Sequence, residues 1–168
     1  MSQKQLATVV DRHSMKLSSY SNYALRSLQM AALHHPNLVR VDDVVRVHKL
    51  SRPHIVKIVH ELGRAGYLET VRGRAGGFRL ARGADEIVVG DVLRLTEGSF
   101  ELVECFNATT NTCPLIGMCR LSEAMQRAMS AFIAVFDALT IADISANKSQ
   151  LLERILPLER ATTPQEKV

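Results

Sequence analysis

The chain has 168 residues, 46% of them apolar and 23% charged, which is the size of one globular domain with an appendage and enough apolar mass for a core. It holds no run of the roughly 18–20 apolar residues that a membrane-spanning helix needs, and its first residues lack the apolar core of a secretion signal. A soluble cytoplasmic protein is therefore expected. The net charge of +4 hides two opposed halves. Residues 16–82 carry 12 Lys and Arg against 4 Asp and Glu, whereas residues 83–168 carry 7 against 12. Such a split points to a polyanionic partner for the first half alone.

Residues 1–14 are expected to be a disordered extension. A first helix is expected over 19–33, where Ser and Asn open the segment, apolar residues recur every three or four positions, and His34-His35-Pro36-Asn37 closes it. A short second helix is expected over 41–48, with Asp42 and Asp43 in its first turn, where carboxylates suit the helix dipole. The third helix has Ser51 as its expected N-cap and Pro53 in its first turn. Ile55, Ile58, Val59 and Leu62 form its apolar stripe, and Arg52, His54, Lys57, Glu61 and Arg64 lie largely off it. Two short helices with a tight turn between them describe a helix-turn-helix. The recognition helix of such a motif meets bases and phosphates near its N-terminus, so Ser51, Arg52, Pro53, His54 and Lys57 are the candidate DNA contacts.

Two short β-prone runs, 67–71 and 78–81, flank Arg72-Gly73-Arg74-Ala75-Gly76-Gly77 and read as a hairpin. Arg72, Arg74 and Arg79 are expected to give this wing positive charge without local acid, suited to a phosphate backbone or a minor groove. Singly, His54 or His60 reads as an ordinary surface residue, and an Arg-rich turn as an ordinary solvated one. Helix order, charge asymmetry and hairpin together point to DNA. The expected architecture is mainly α with a small β-hairpin: a winged helix-turn-helix over 15–97, a cysteine loop over 98–120, a dimerisation helix and C-terminal helical segment over 121–160, and a disordered tail over 161–168.

A short strand-like entry and a short helix are expected over 85–96. Cys105, Cys113 and Cys119 follow in a C-x7-C-x5-C spacing, among loop-forming Asn, Thr, Pro and Gly. Structural zinc takes four Cys or His ligands, usually in close pairs, and every histidine lies at or before His60. An iron–sulfur cluster on three thiolates, with a fourth ligand that is not cysteine, matches the donor set better. A thiol redox switch, or three unrelated cysteines, remains open at this point. The helix beyond carries Leu121, Met125, Ala128, Phe132, Val135 and Leu139 in heptad-like rhythm, widened by Met129 and Phe136, and is expected to pack against a second copy. No nucleophile–base pair, phosphate loop or paired-carboxylate motif supports an enzyme.

Assembled, the chain resembles the BadM/Rrf-type family of winged-helix iron–sulfur regulators from about Met15 to Leu156. The resemblance is carried by Lys16-Leu-Ser-Ser-Tyr-Ser-Asn-Tyr-Ala-Leu-Arg26, Ser51-Arg-Pro-His-Ile-Val-Lys57, Glu69-Thr-Val-Arg-Gly-Arg-Ala-Gly-Gly77, Val103-Glu-Cys-Phe106 and Cys113-Pro-Leu-Ile-Gly-Met-Cys-Arg-Leu121. It is greatest to the family's nitric-oxide-sensing repressors and next to its iron-responsive ones. It implies a homodimer on a palindromic operator, with a [2Fe-2S] or [4Fe-4S] cluster held by Cys105, Cys113 and Cys119. It further implies that nitric oxide, acting on that cluster, releases promoter DNA. Some members take the fourth ligand from an Asp in the partner's first helix; the matching position here is Asn22, a poorer ligand for iron.

Overall fold

The computed structural model describes residues 17–73, 75–98, 100, 103–107 and 109–160. The expected termini, 1–14 and 161–168, lie outside these residues.

Helix α1, Ser19–His34, runs through the core of the first half. Ser18 caps it, its hydroxyl accepting from the Ser21 amide at 3.1 Å. Ala24, Leu28, Met30, Ala31 and Leu33 bury one face. Two serines lie in that same buried face and both are satisfied. Ser27 donates to the Tyr23 carbonyl at 2.8 Å, and Ser21 shares a 2.6 Å hydrogen bond with Thr96. Helix α2, Val41–His48, is closed at its start by Asp43, whose carboxylate accepts from the Arg40 amide. The turn that follows passes through Lys49 in the left-handed region, φ 54°, and enters α3, Arg52–Arg64. Ile55, Ile58, Val59 and Leu62 are buried, as their spacing requires.

Ser51 occupies the N-cap of α3 but makes no capping hydrogen bond. A capping side chain reaches the N–H of the second or third helical residue; the second, Pro53, has none, and the amide of the third, His54, is not engaged by Ser51. The expected cap is thus a cap by position only, and its exposed hydroxyl stays free to face outward.

Strands β1, Leu68–Val71, and β2, Gly77–Leu80, pair antiparallel with Leu68 opposite Leu80 and Glu69 opposite Arg79. Val39 bridges the far edge of β2 through two 2.9 Å hydrogen bonds with Phe78, so the hairpin is clamped to the helical core. A Cβ on Gly77 would stand 2.5 Å from the Val39 carbonyl oxygen, so this glycine is required by the close approach of the Val39 backbone.

A 3₁₀ turn, Ala84–Glu86, leads to α4, Val89–Glu97, whose Val92 and Leu93 complete the core. The cysteine loop follows, with a second 3₁₀ turn at Glu104–Phe106, and then α5, Arg120–Asp137. The end of α5 returns to the domain: Arg94 grips Asp137 through two 2.7 Å hydrogen bonds. Val89 donates to the Leu139 carbonyl at 2.8 Å, and Ile141 to that of Ile87 at 2.9 Å. The short α6, Ile141–Ile144, and α7, Lys148–Arg160, lie against α1 and α2, and Ile141 and Ile155 are buried in the shared core.

The expected heptad seam on α5 divides between two faces. Met125, Met129, Phe132 and Phe136 are half-buried, with the two phenyl rings edge to face at 5.1 Å. Leu121, Ala124, Ala128, Ala131 and Val135 are exposed, in their own three-four-three-four spacing, with Leu121 at 63% and Val135 at 61%. The apolar count of the helix serves two stripes, and a single seam drawn through both mixes them.

The approach of α4 to α5 needs Gly90, where a Cβ would fall 1.9 Å from the Asp137 carboxylate and 3.1 Å from its amide nitrogen. Gly90→Ala is therefore expected to lower the melting temperature by roughly 2–10 °C. Thermal melts in an Asp137→Ala background should show a clearly smaller loss. His48 offers a second check. Its Nε2 is buried with no hydrogen-bond partner among the described residues, and burial, then the Arg26 charge, pull its pKa below the ordinary value. As pH falls through about 6.5 the unfolded chain takes up a proton that the folded imidazole resists, so stability present above that pH is lost on acidification. Melts at pH 7.5 and 5.5 should show a larger drop for the native chain than for His48→Gln.

Candidate functional site

Helix α3 presents Ser51, Arg52, Pro53, His54, Lys57, His60 and Arg64 to solvent, opposite its buried stripe. The expected contacts at its start therefore share one open surface, but they do not share one electrostatic state. Arg52 donates its Nε–H to Asp42 at 2.7 Å, so the acid that seemed to serve only the helix dipole also balances this guanidinium. Lys57 stands 5.7 Å from the centre of the Tyr20 ring. The Tyr20 hydroxyl in turn donates to Glu61, one turn further along α3. Burial first, and then this hydrogen bond, push the Tyr20 hydroxyl up to about 12, so it remains a donor at any physiological pH.

The wing departs from expectation at Arg79. Strand register places it opposite Glu69, and the two form a bidentate ion pair at 2.9 and 3.1 Å. Local acid is present after all, ten residues away in sequence and directly across the ladder. Arg72 is exposed, without a carboxylate partner among the described residues; Arg74 lies outside them.

His60, Arg64 and Thr70, absent from the expected contact set, complete the surface beside the expected Arg72. His60, Arg64, Thr70 and Arg72 rim an open concavity of about 560 Å3 between α3 and β1, with Val41, Val56, Val59, Gly63 and Leu68 beneath. Continuing the exposed face of α3 by one more turn finds His60 and Arg64 from sequence. Thr70 needs the hairpin to be placed, and Tyr20 has no sequence signal.

The three cysteines are free and half-buried. Cys105 lies in the 3₁₀ turn, its thiol 3.4 Å from the Ser122 hydroxyl on α5. The Cys113 amide donates to the Asn111 side chain at 2.9 Å, and Cys119 is the N-cap of α5, its carbonyl accepting from Glu123 at 3.2 Å. Among the described residues of the single chain, no three His, Cys, Asp or Glu side chains converge as a ligand set. Asn22, in the first turn of α1, is exposed. That turn is the junction of the molecule. The Ser18 amide donates to Glu97 at 2.8 Å, Ser21 holds Thr96, and Tyr20 holds Glu61. The end of α4 that leads into the cysteine loop and Glu61 of α3 are thus bonded to Ser18, Tyr20 and Ser21 at the start of α1.

The family model for Rrf2, described as an iron-dependent transcriptional regulator, matches residues 17–147. The HTH-type transcriptional regulator NsrR of Geobacillus kaustophilus is 45% identical over 138 residues, 82% of this chain and 94% of that one. NsrR of Bacillus licheniformis is 41% identical over 138 residues, covering 82% and 96%. Among solved structures, CymR, the global cysteine regulator of B. subtilis, superposes with a TM-score of 0.66 over 80% of this chain and 98% of that one, at 24% identity. The NsrR relatives are named as regulators of transcription, not as enzymes. With one family pattern running through the winged helix, the cysteine loop and the long helix, the chain belongs to the Rrf2 family of transcriptional regulators.

Proposed function

We propose that this Rrf2-type repressor acts in the cytoplasm as a homodimer on a palindromic operator, holds an iron–sulfur cluster on Cys105, Cys113 and Cys119, and releases promoter DNA when nitric oxide reaches that cluster. The observation that carries this reading is the cysteine loop. Its three thiols are free of disulfides, half-shielded from solvent, and strung between two helices joined to the DNA-reading half. Thiolates are the ligands iron–sulfur clusters use, and three on one loop fit a cluster whose fourth ligand lies elsewhere. The exposed carboxamide of Asn22 marks the region from which a second copy would supply that ligand. Held by these thiols, a cluster would supply an iron that a small diatomic molecule could bind. NsrR-named relatives over four-fifths of the chain favour nitric oxide over iron status as the signal.

The chain's own residues supply the coupling. Cys105 leans on Ser122 at the start of α5, whose far end is fixed to α4 by Asp137 and Arg94. The end of α4 holds the first turn of α1 through Thr96 and Glu97, and Tyr20 in that turn holds Glu61 of α3. Movement of the loop reaches the recognition helix by bonded steps. The exposed stripe from Leu121 to Val135 supports packing against a second copy, and a twofold dimer reads twofold DNA. No helix among the described residues is long and apolar enough to cross a membrane.

Protein purified without oxygen should be coloured, contain iron and acid-labile sulfide, and lose both in Cys113→Ala; a colourless, zinc-loaded preparation would overturn the cluster. Nitric oxide should abolish operator binding in the coloured protein. Release on iron chelation alone, with no response to nitric oxide, would identify an iron-responsive repressor instead. Release by peroxide in iron-free protein would identify a thiol switch.

Arg72→Ala and Arg64→Ala should weaken binding to operator and random duplex alike, each flattening the logarithmic salt dependence by about one unit. Arg79→Ala should do less, because Glu69 already neutralises that guanidinium. Glu69→Ala should strengthen non-specific binding and steepen the salt dependence. Filter or anisotropy titrations across a salt series measure all four.

A further inference from the structure

Every Ile, Val and Leu side chain of α3 is buried except one. Ile55, Ile58, Val59 and Leu62 are 0–6% exposed, whereas Val56 is 44% exposed. A lone surface valine is ordinary, and its surroundings are what make this one informative. Val56 lies on the wall of the concavity between α3 and the wing, whose rim is His60, Arg64, Thr70 and Arg72. The rim suits phosphates and the sugar edge; the apolar wall does not. Arg52, one turn earlier on α3, is turned aside onto Asp42. Beside it, Pro53 offers no side-chain polar atom. Ser51, His54 and Lys57 give this stretch polar groups for bases and phosphates, and Val56 adds to them an exposed aliphatic side chain facing the same concavity.

In the major groove of B-DNA the apolar group that a base pair displays is the C5-methyl of thymine. We propose that Val56 is a specificity-determining residue that reads a thymine in each half-site by contact with its C5-methyl. The inference rests on α3 being the DNA-reading helix, as proposed above, and adds which base its valine selects.

The experiment uses the full-length chain and an operator selected by it from random duplexes. Each dT of that operator is then replaced singly by deoxyuridine, which deletes the methyl and keeps every hydrogen-bonding edge. At one position per half-site the replacement should weaken binding about three- to five-fold, the loss expected for removing one buried methyl. Val56→Ala should weaken binding to the thymine operator to a similar degree. In that variant, deoxyuridine at the same position should cost nothing, so the two losses do not add. Random-duplex affinity and melting temperature should stay at native values, since Val56 is on the surface. If no deoxyuridine penalty disappears in Val56→Ala, the inference is overturned while the DNA-reading role of α3 stands. If the native chain does not prefer its selected operator over random duplex, the DNA-reading role falls, and this inference with it.

Discussion

The hydrogen bond between the Ser21 and Thr96 hydroxyls, 2.6 Å long and anchored on a fully buried serine, decides how the two halves of the chain sit together. A buried hydroxyl without a partner costs about 1–3 kcal/mol; Thr96 also donates to the Val92 carbonyl of its own helix at 2.8 Å, so it is chiefly the buried Ser21 that favours this register of α1 on α4. Once that register is set, Ser18 meets Glu97 and α1 presents Tyr20 to Glu61. Apolar packing alone would leave α1 free to slide against α4 at little cost, because Ala, Leu and Val faces are forgiving of small shifts. The polar contact removes that freedom at the place where the cysteine loop begins.

The basic half does not present its charge uniformly. Arg52 and Arg79 are held by Asp42 and Glu69, whereas Arg64 and Arg72 have no carboxylate partner among the described residues. Paired guanidiniums at half-exposed sites contribute little to stability, and their value lies in orientation. They stiffen the start of α3 and the ladder of the wing, while the unpaired cations supply long-range attraction to a polyanion. Net charge alone would count all four alike.

Local signals were legible in the sequence wherever the responsible residues are close along the chain. Helices α1 to α3, the hairpin and α4 follow from periodicity and punctuation, and the buried stripe of α3 follows from the spacing of Ile55, Ile58, Val59 and Leu62. Contacts between distant residues were not legible. Glu69 and Arg79 meet through strand register, and Tyr20 and Glu61 through the docking of two helices, so spacing offers no warning of either. Ser51 shows a different failure: the residue type is right for a cap, yet Pro53 removes one of its two possible donors and the other, the His54 amide, is not engaged. On α5 a helix rich in apolar residues admits more than one seam, and the core, not the heptad, decides which stripe turns inward. The thiols were identified by composition and spacing, and their half-burial could only be seen in three dimensions.

The grip of Arg94 on Asp137 across Gly90 also has a geometric consequence. Helix α5 has 18 residues, a rod of about 27 Å, and this grip lies at one end while Cys119 lies at the other. Tilting such a rod by about 5° at the glycine carries its far tip by roughly 2 Å, comparable to one metal–sulfur bond. A movement too small to disturb the core at the fulcrum is therefore large at the thiol, and the same lever run backwards turns a bond made or lost at the tip into a small, firm torque on α4.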